Sequence, residues 1–332
     1  MTIPASTDST TSLVTIADIR EAADRIRPIA RLTPLIDVSA PAGRRFALKC
    51  ENLQPGGAFK IRGAYNMVAR LTPEQRARGV VTFSSGNHGQ AMALAARELG
   101  APAVVVMPTT APAIKVEGAR AFGAEVIFAG TTSADRRRRA EAEAEARGLT
   151  MVPPFDHEWI IAGQGTAGIE ILDQCPDVAA IVVPVGGGGL LAGVAAAVKQ
   201  LRPEVKVIGV EPSGAAKMTA SIAAGHAVTL PSTATIADGL MPVRPGDQTL
   251  AHVQAYVDAV VTVDDPAIVD AVLWIFANAK VVAEPSGAAA TAAVLTGLVD
   301  RGAPIEGPIV AIVSGGNMSV ETLRGLKGPR GV

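Results

Sequence analysis

An α/β fold is predicted: parallel βαβ units with helices on both faces of the sheets, in a chain long enough for two compact domains. Short apolar runs of β character alternate with helical stretches over most of the sequence, the pattern of parallel strands buried on both faces. The 332 residues are 48% hydrophobic and 18% charged, enough apolar material for a large core. Residues 178–198 carry no charge over a length that raises the question of a membrane span. Pro184 and four consecutive glycines interrupt them, so they read as buried strand, tight loop and buried helix.

In chain order, residues 12–30 form an amphipathic helix. Ile16, Ile19, Ala22, Ala23 and Ile26 share one face, and Asp18, Arg20, Glu21 and Asp24 face away. Residues 33–35 and 45–49 are short strands. After the turn at Pro55, Gly56 and Gly57 comes Lys60, with a helix through 62–69. Residues 74–79 end a surface helix, and strand 80–83 runs into the loop 84–90 and an Ala-rich helix stopped by Gly100. Strand 103–107, helix 115–122 and strand 125–128 follow. The basic run 136–139 sits on a helix, 135–147, with Glu141, Glu143 and Glu145. Arg137–Glu141 and Arg139–Glu143 fall at i,i+4, so the run reads as a salt-bridged solvated face and not as a phosphate or nucleic-acid patch. Residues 151–156 are a strand ending in a turn, and 161–170 a loop passing into a helix. Strands 179–185, 205–210, 259–263 and 309–313 alternate with helices 190–201, 265–278 and 286–300, and 228–246 is irregular.

Net charge is −1, which points to neither a nucleic acid nor an acidic membrane as partner. Cys50 and Cys175 make no disulfide framework and no metal spacing, and fit a reducing cytoplasm. Residues 1–15 are Ser/Thr-rich without a basic segment and apolar core, so they read as a frayed tail and not as a secretory signal.

Four stretches carry chemistry. Gly186, Gly187, Gly188 and Gly189 lie between a strand and a helix, where glycine lets the backbone approach an anion and the helix N-terminus attracts it, so a phosphate site is the direct reading. The same stretch satisfies a dinucleotide fingerprint, with Glu211 near the place of a ribose-binding acid, so a nicotinamide-dependent oxidoreductase is a rival. That rival leaves the other three stretches unexplained. Ser84, Ser85, Gly86, Asn87, His88, Gly89 and Gln90 sit where strand meets helix, with hydroxyls and backbone N–H groups suited to a carboxylate. His88 alone reads as a structural histidine. Lys60 precedes a helix, whose positive end disfavours its ammonium form and so favours a reactive amine. Taken alone, it reads as a surface lysine after a turn. Ser314, Gly315, Gly316 and Asn317 end the last strand.

Together these four stretches resemble the fold-type II pyridoxal 5′-phosphate enzymes, specifically the threonine/serine dehydratase and serine racemase group, over roughly residues 15–325. The resemblance implies two open, twisted, mostly parallel sheet domains flanked by helices, a tryptophan synthase β-like arrangement. Residues 1–52 and 157–332 would form the large domain, 53–156 the small one, and a deep cleft would lie between them. It implies that Lys60 forms the Schiff base and that Gly186, Gly187, Gly188 and Gly189, with Leu190, hold the cofactor phosphate. Phe59, Asn87 and Glu284 would lie by the ring, and Ser314 would meet the pyridine nitrogen. Ser84, Ser85, Gly86, Asn87 and His88 would surround the substrate carboxylate, and Ser85 matches the second acid/base of racemases. A homo-oligomer, dimer or tetramer, is also implied.

Four departures qualify this. Pro55-Gly-Gly-Ala-Phe-Lys60 stands where the family has Pro-Thr-Gly-Ser-Phe-Lys. Several members hold a divalent cation between a Glu, a carbonyl and an Asp; Glu211 and Ala215 match the first two, but Lys217 stands in place of the Asp, so an ion pair is expected instead of a metal. Phe155-Asp156 matches dehydratases, whereas some racemases have Asn at the first position. The chain ends near the catalytic fold without a regulatory domain, so no feedback inhibition by isoleucine is expected. The expected activity is an ammonia-lyase acting on L-threonine, L-serine or both. Serine racemase, or a dehydratase of 3-hydroxyaspartate or another β-hydroxy amino acid, is the alternative.

Overall fold

The computed structural model describes residues 12–39, 45–84, 86–111, 113–300 and 304–327. The strands are β1 (Leu35–Ser39), β2 (Arg45–Lys49), β3 (Val80–Phe83), β4 (Ala103–Met107), β5 (Glu125–Phe128), β6 (Thr150–Met151), β7 (Ala180–Pro184), β8 (Lys206–Pro212), β9 (Ala259–Val263) and β10 (Ile309–Ile312). The helices are α1 (Ile16–Ile26), α2 (Ile61–Arg70), α3 (Pro73–Arg78), α4 (Asn87–Glu98), α5 (Ala113–Ala121), α6 (Ser133–Arg147), α7 (Glu158–Gln174), α8 (Gly189–Leu201), α9 (Lys217–Ala224), α10 (Asp247–Tyr256), α11 (Asp265–Ala279), α12 (Pro285–Leu295) and α13 (Val320–Gly325).

Two open sheets result. One runs β1-β2-β10-β7-β8-β9, with only the β1–β2 pair antiparallel; the other runs β5-β4-β3-β6 and is parallel throughout. Alternation along each strand feeds two cores. In β10, Ile309 and Ala311 pack with α11 and α12, while Val310 and Ile312 pack with α7, α8 and α10. In the smaller sheet Val80, Val105 and Met107 face α2, α4 and α5, and Val81, Val104 and Val106 face Ala140 of α6. Covering both faces is why these strands read as continuous apolar runs.

The parallel sheets, the alternation and the split of residues 178–198 into β7 and α8 match the sequence reading, and no described helix is long and apolar enough to cross a membrane. The pairs Arg137–Glu141 and Arg139–Glu143 form, each at 2.8 Å. Several boundaries differ. The first strand lies at Leu35–Ser39, where it can pair with β2, and not at 33–35. Between α6 and α7 strand character is confined to Thr150–Met151 and does not run over 151–156. Residues 161–170 are helical throughout, inside α7, and α9, α10 and α13 were not foreseen.

Candidate active site

Lys60 heads α2 as its N-cap residue, after a turn in which Gly56 and Gly57 adopt φ of 77° and 72°. Its Nζ donates to Pro154 O at 2.6 Å and lies 5.1 Å from the centroid of the Phe59 ring. Lys60 keeps some solvent exposure, but protein surrounds it at longer range. That desolvation lowers its ammonium from 10.5 to about 8. Among the described residues no carboxylate pairs with it to restore the charge.

The loop after β10 is sewn to this turn. Phe59 N donates to Ser314 O at 3.1 Å, Gly316 N to Gly57 O at 2.9 Å, and Ala58 bridges Gly315. Asn317 Nδ2 donates to Gly56 O at 2.8 Å and to Asn87 Oδ1 at 3.0 Å. Asn87 Nδ2 in turn donates to Glu284, whose own N–H reaches Gly315 O at 3.0 Å. Lys60, Asn87, Glu284 and Ser314, more than 250 positions apart at their extremes, thus stand on one hydrogen-bonded frame. Ser314 Oγ itself makes only a long contact, 3.5 Å, to Ser286 O.

The N-termini of α4 and α8 lack side-chain caps. Gly86 precedes α4, and its N–H donates to Ser84 Oγ at 3.1 Å. Ser85 lies outside the described residues. His88 is buried, with Nε2 3.2 Å from the carbonyl of Val152, the residue after β6. Burial, reinforced by Lys60, pushes its pKa down to about 3, so it is a neutral supporting group. At the tetraglycine, Gly188 has φ of 101° and precedes α8. The first helical bond runs from Ala192 N to Gly188 O at 2.8 Å, so Gly189, Leu190 and Leu191 present amides without intrahelical acceptors. A Cβ at Gly186 would lie 2.9 Å from Gly239 O, and one at Gly187 would collide with the Phe155 ring. Only glycine fits this cradle.

Lys115, Asp238 and Thr249 left no sequence signal. Lys115 of α5 is buried, pairs with Asp238, and lies over Gly86, where a Cβ would approach its Nζ to 3.0 Å. Asp156 accepts from the amides of Asp247, Gln248 and Thr249 and so caps α10, while Thr249 Oγ1 donates to Gly187 O at 2.7 Å. Glu284 is fully buried with Oε2 unpartnered. Burial, helped by Asp238 and opposed by Lys115 and Asn87, raises its carboxyl to about 7. Glu211 and Ala215 both face Lys217 Nζ, at 3.2 and 3.0 Å, and among the described residues no cluster of three His, Cys, Asp or Glu could hold a metal ion.

An amine near pKa 8, a glycine cradle at a helix N-terminus and a buried carboxyl with a spare oxygen together fit pyridoxal phosphate. The comparisons agree. The L-threonine ammonia-lyase of Thermotoga maritima is 45% identical over 94% of this chain and 77% of its own length. The biosynthetic L-threonine dehydratase of Pasteurella multocida is 42% identical over 90% of this chain, which spans only 59% of that protein. Maize serine racemase superposes with a TM-score of 0.91 at 42% identity, over 94% of this chain and 96% of its own. Residues 26–315 match the family described as pyridoxal-phosphate dependent enzyme, and the chain belongs to that family, in its fold-type II branch.

Proposed function

We propose that the protein is an ammonia-lyase that uses pyridoxal phosphate to convert L-threonine, L-serine or both into the 2-oxo acid and ammonia. The observation that carries this reading is the state of Lys60: a desolvated amine of pKa about 8 whose one hydrogen-bond partner among the described residues is a carbonyl. The named activities of the Thermotoga and Pasteurella relatives support the substrate class. Phe155, matching dehydratases, packs its ring on Gly187 and its backbone on Gly189 and supports lyase over racemase.

In this reading Lys60 holds the cofactor, Phe59, Asn87 and Glu284 flank its ring, and Ser314 meets the ring nitrogen. Gly186, Gly187, Gly188, Gly189 and Leu190 take its phosphate. Ser84, Ser85, Gly86, Asn87 and His88 surround the substrate carboxylate. Bound there, pyridoxal phosphate supplies an electron sink for the α-carbon. Lys60 Nζ, as a free amine, would accept the α-proton. The β-hydroxyl leaves as water, and the resulting enamine takes up water and releases ammonia. A neutral Ser314 hydroxyl would not enforce a proton on the ring nitrogen, which would favour loss of the β-substituent. Residues 1–52 and 157–332 serve as the large domain and 53–156 as the small one; the six-stranded and four-stranded sheets draw their strands from these two sets, which supports the division. A cytoplasmic dimer or tetramer completes the reading.

A screen for 2-oxo acid release over β-hydroxy amino acids tests it, with chiral analysis of serine to expose racemase activity through Ser85. Protein that stays colourless and inert after reconstitution with pyridoxal phosphate, or a Lys60→Ala variant with undiminished turnover, refutes it.

A further inference from the structure

Lys217 is completely buried at the start of α9, so bulk water does not solvate its ammonium. Three main-chain carbonyls take that role: Val185 O at 2.9 Å, Ala215 O at 3.0 Å and Leu240 O at 3.0 Å. Glu211 Oε1 adds a carboxylate oxygen at 3.2 Å. Glu211 is buried as well, and its oxygens also accept from Met218 N and Thr219 N, both at 2.8 Å. Four oxygens around one nitrogen describe a charged ammonium, because a neutral amine would offer only two protons and need a donor for its lone pair. Burial pulls the Lys217 pKa down, and Glu211 opposes it.

Carbonyls and a carboxylate converging on one point are the surroundings of a hard cation. Here the point is filled by a nitrogen covalently attached to the chain, and a divalent ion beside it would meet both its bulk and its charge. The carbonyls also come from places that matter. Val185 immediately precedes Gly186. Leu240 closes the turn Asp238–Leu240, whose Gly239 O packs against Gly186 and whose Asp238 pairs with Lys115 above Gly86. Ala215 closes the turn between β8 and α9.

We propose that Lys217 is a tethered internal cation that pins the tetraglycine loop and the 238–240 turn in the shape the cofactor phosphate needs, and so makes the site independent of any divalent metal ion. Lys217 is a positioning residue in this account, which rests on reading the tetraglycine as the phosphate site.

The test compares the wild type, Lys217→Met and Lys217→Asp for melting temperature, pyridoxal phosphate affinity and 2-oxo acid release, each with EDTA and with magnesium chloride. The wild type is expected to respond to neither addition. Lys217→Met should bind pyridoxal phosphate about tenfold or more weakly, the scale on which removing a supporting group acts, and magnesium should not restore it. Lys217→Asp places two carboxylates among the same carbonyls, so its melting temperature and cofactor affinity should rise with magnesium. Wild-type activity lost to EDTA and restored by magnesium overturns the proposal, as does wild-type cofactor affinity in Lys217→Met. If Lys217→Met does not fold, Lys217→Asp decides: a magnesium-dependent melting temperature supports the internal cation, and none refutes it. If the wild type takes up no pyridoxal phosphate, the functional reading fails, while the magnesium response of the melting temperatures still judges Lys217.

Discussion

Replacing Arg62 with methionine should destabilise the protein strongly, because one buried carboxylate, Glu51, and one half-buried carboxylate, Glu170, depend on it. Arg62 lies two residues beyond Lys60 and is fully buried. Its Nε and Nη2 reach Glu51 at 2.7 and 2.8 Å, and its Nη1 and Nη2 reach Glu170 at 2.7 and 2.8 Å. Nη1 also donates to Thr166 Oγ1 at 3.0 Å. Lys49, also buried, donates to Glu170 at 2.6 Å, so two cations balance two anions. Burial alone would raise the Glu51 pKa; Arg62, through its charge and hydrogen bonds, and Lys49 overcome that and hold it below 4.5. Methionine preserves most of the volume but leaves two carboxylates facing one lysine. Breaking a buried pair from one side is worth about 3–5 kcal/mol. A chain of this length unfolding as one unit has an unfolding entropy near 0.7 kcal/mol/K, so the melting temperature should fall by about 4–7 °C. Circular dichroism melting of the protein without cofactor measures this. Adding Glu51→Gln should recover part of the loss, since it removes one stranded charge. A drop of less than about 2 °C in Arg62→Met would show that the four-charge cluster is not held together as described.

Four further outcomes are expected. The rate of pyridoxal phosphate capture should climb with pH and level off above about 8, where Lys60 becomes neutral; a rate still rising at pH 10 would mark an ordinary lysine. Because Glu284 holds its proton to about pH 7 in the fold but loses it near 4.5 when unfolded, its contribution to stability is lost as pH rises between those values. Glu284→Gln should therefore gain stability relative to the wild type across that window, and parallel pH profiles would count against the shift. Gly188→Ala forces a side chain onto φ of 101° and to within 2.8 Å of Met218 and Thr249, so cofactor affinity should fall with the fold retained, as titration by absorbance would show. Asp156→Ala removes the acceptor for three amides of α10 and should lower stability by about 1 kcal/mol in a denaturant titration.

What could be read from the sequence followed from local causes. Strands such as β4 and β10 announce themselves as apolar runs because both their faces are covered, and the four motif stretches lie at strand–helix junctions, where their chemistry requires them. What escaped had distant causes. Gly163, Gly165 and Gly168 made residues 161–170 look like a loop, but they lie inside α7 because its backbone meets other backbones: a Cβ on Gly163 would lie 2.6 Å from Gly63 Cα, and one on Gly165 2.8 Å from Gly193 O. Glycine there marks close helix packing, not a break. α10 was missed because its N-cap, Gly246, has no side chain and the cap arrives from Asp156. Lys115 meets Asp238 across 123 positions, with no periodicity to betray either.

The bond from Lys60 to Pro154 O has a consequence for ligand loading. The chain leaves the six-stranded sheet after Lys49 and re-enters it at Ala180, and the Lys60 amine fastens the outbound path to the homeward one. An amine drawn into a covalent bond gives up protons it now lends to that carbonyl. On the proposed reading, cofactor binding at Lys60 would release this one fastening, while Asn66 Nδ2 to Trp159 O at 2.6 Å and the close approach of Gly63 and Gly163 would keep the two crossings joined.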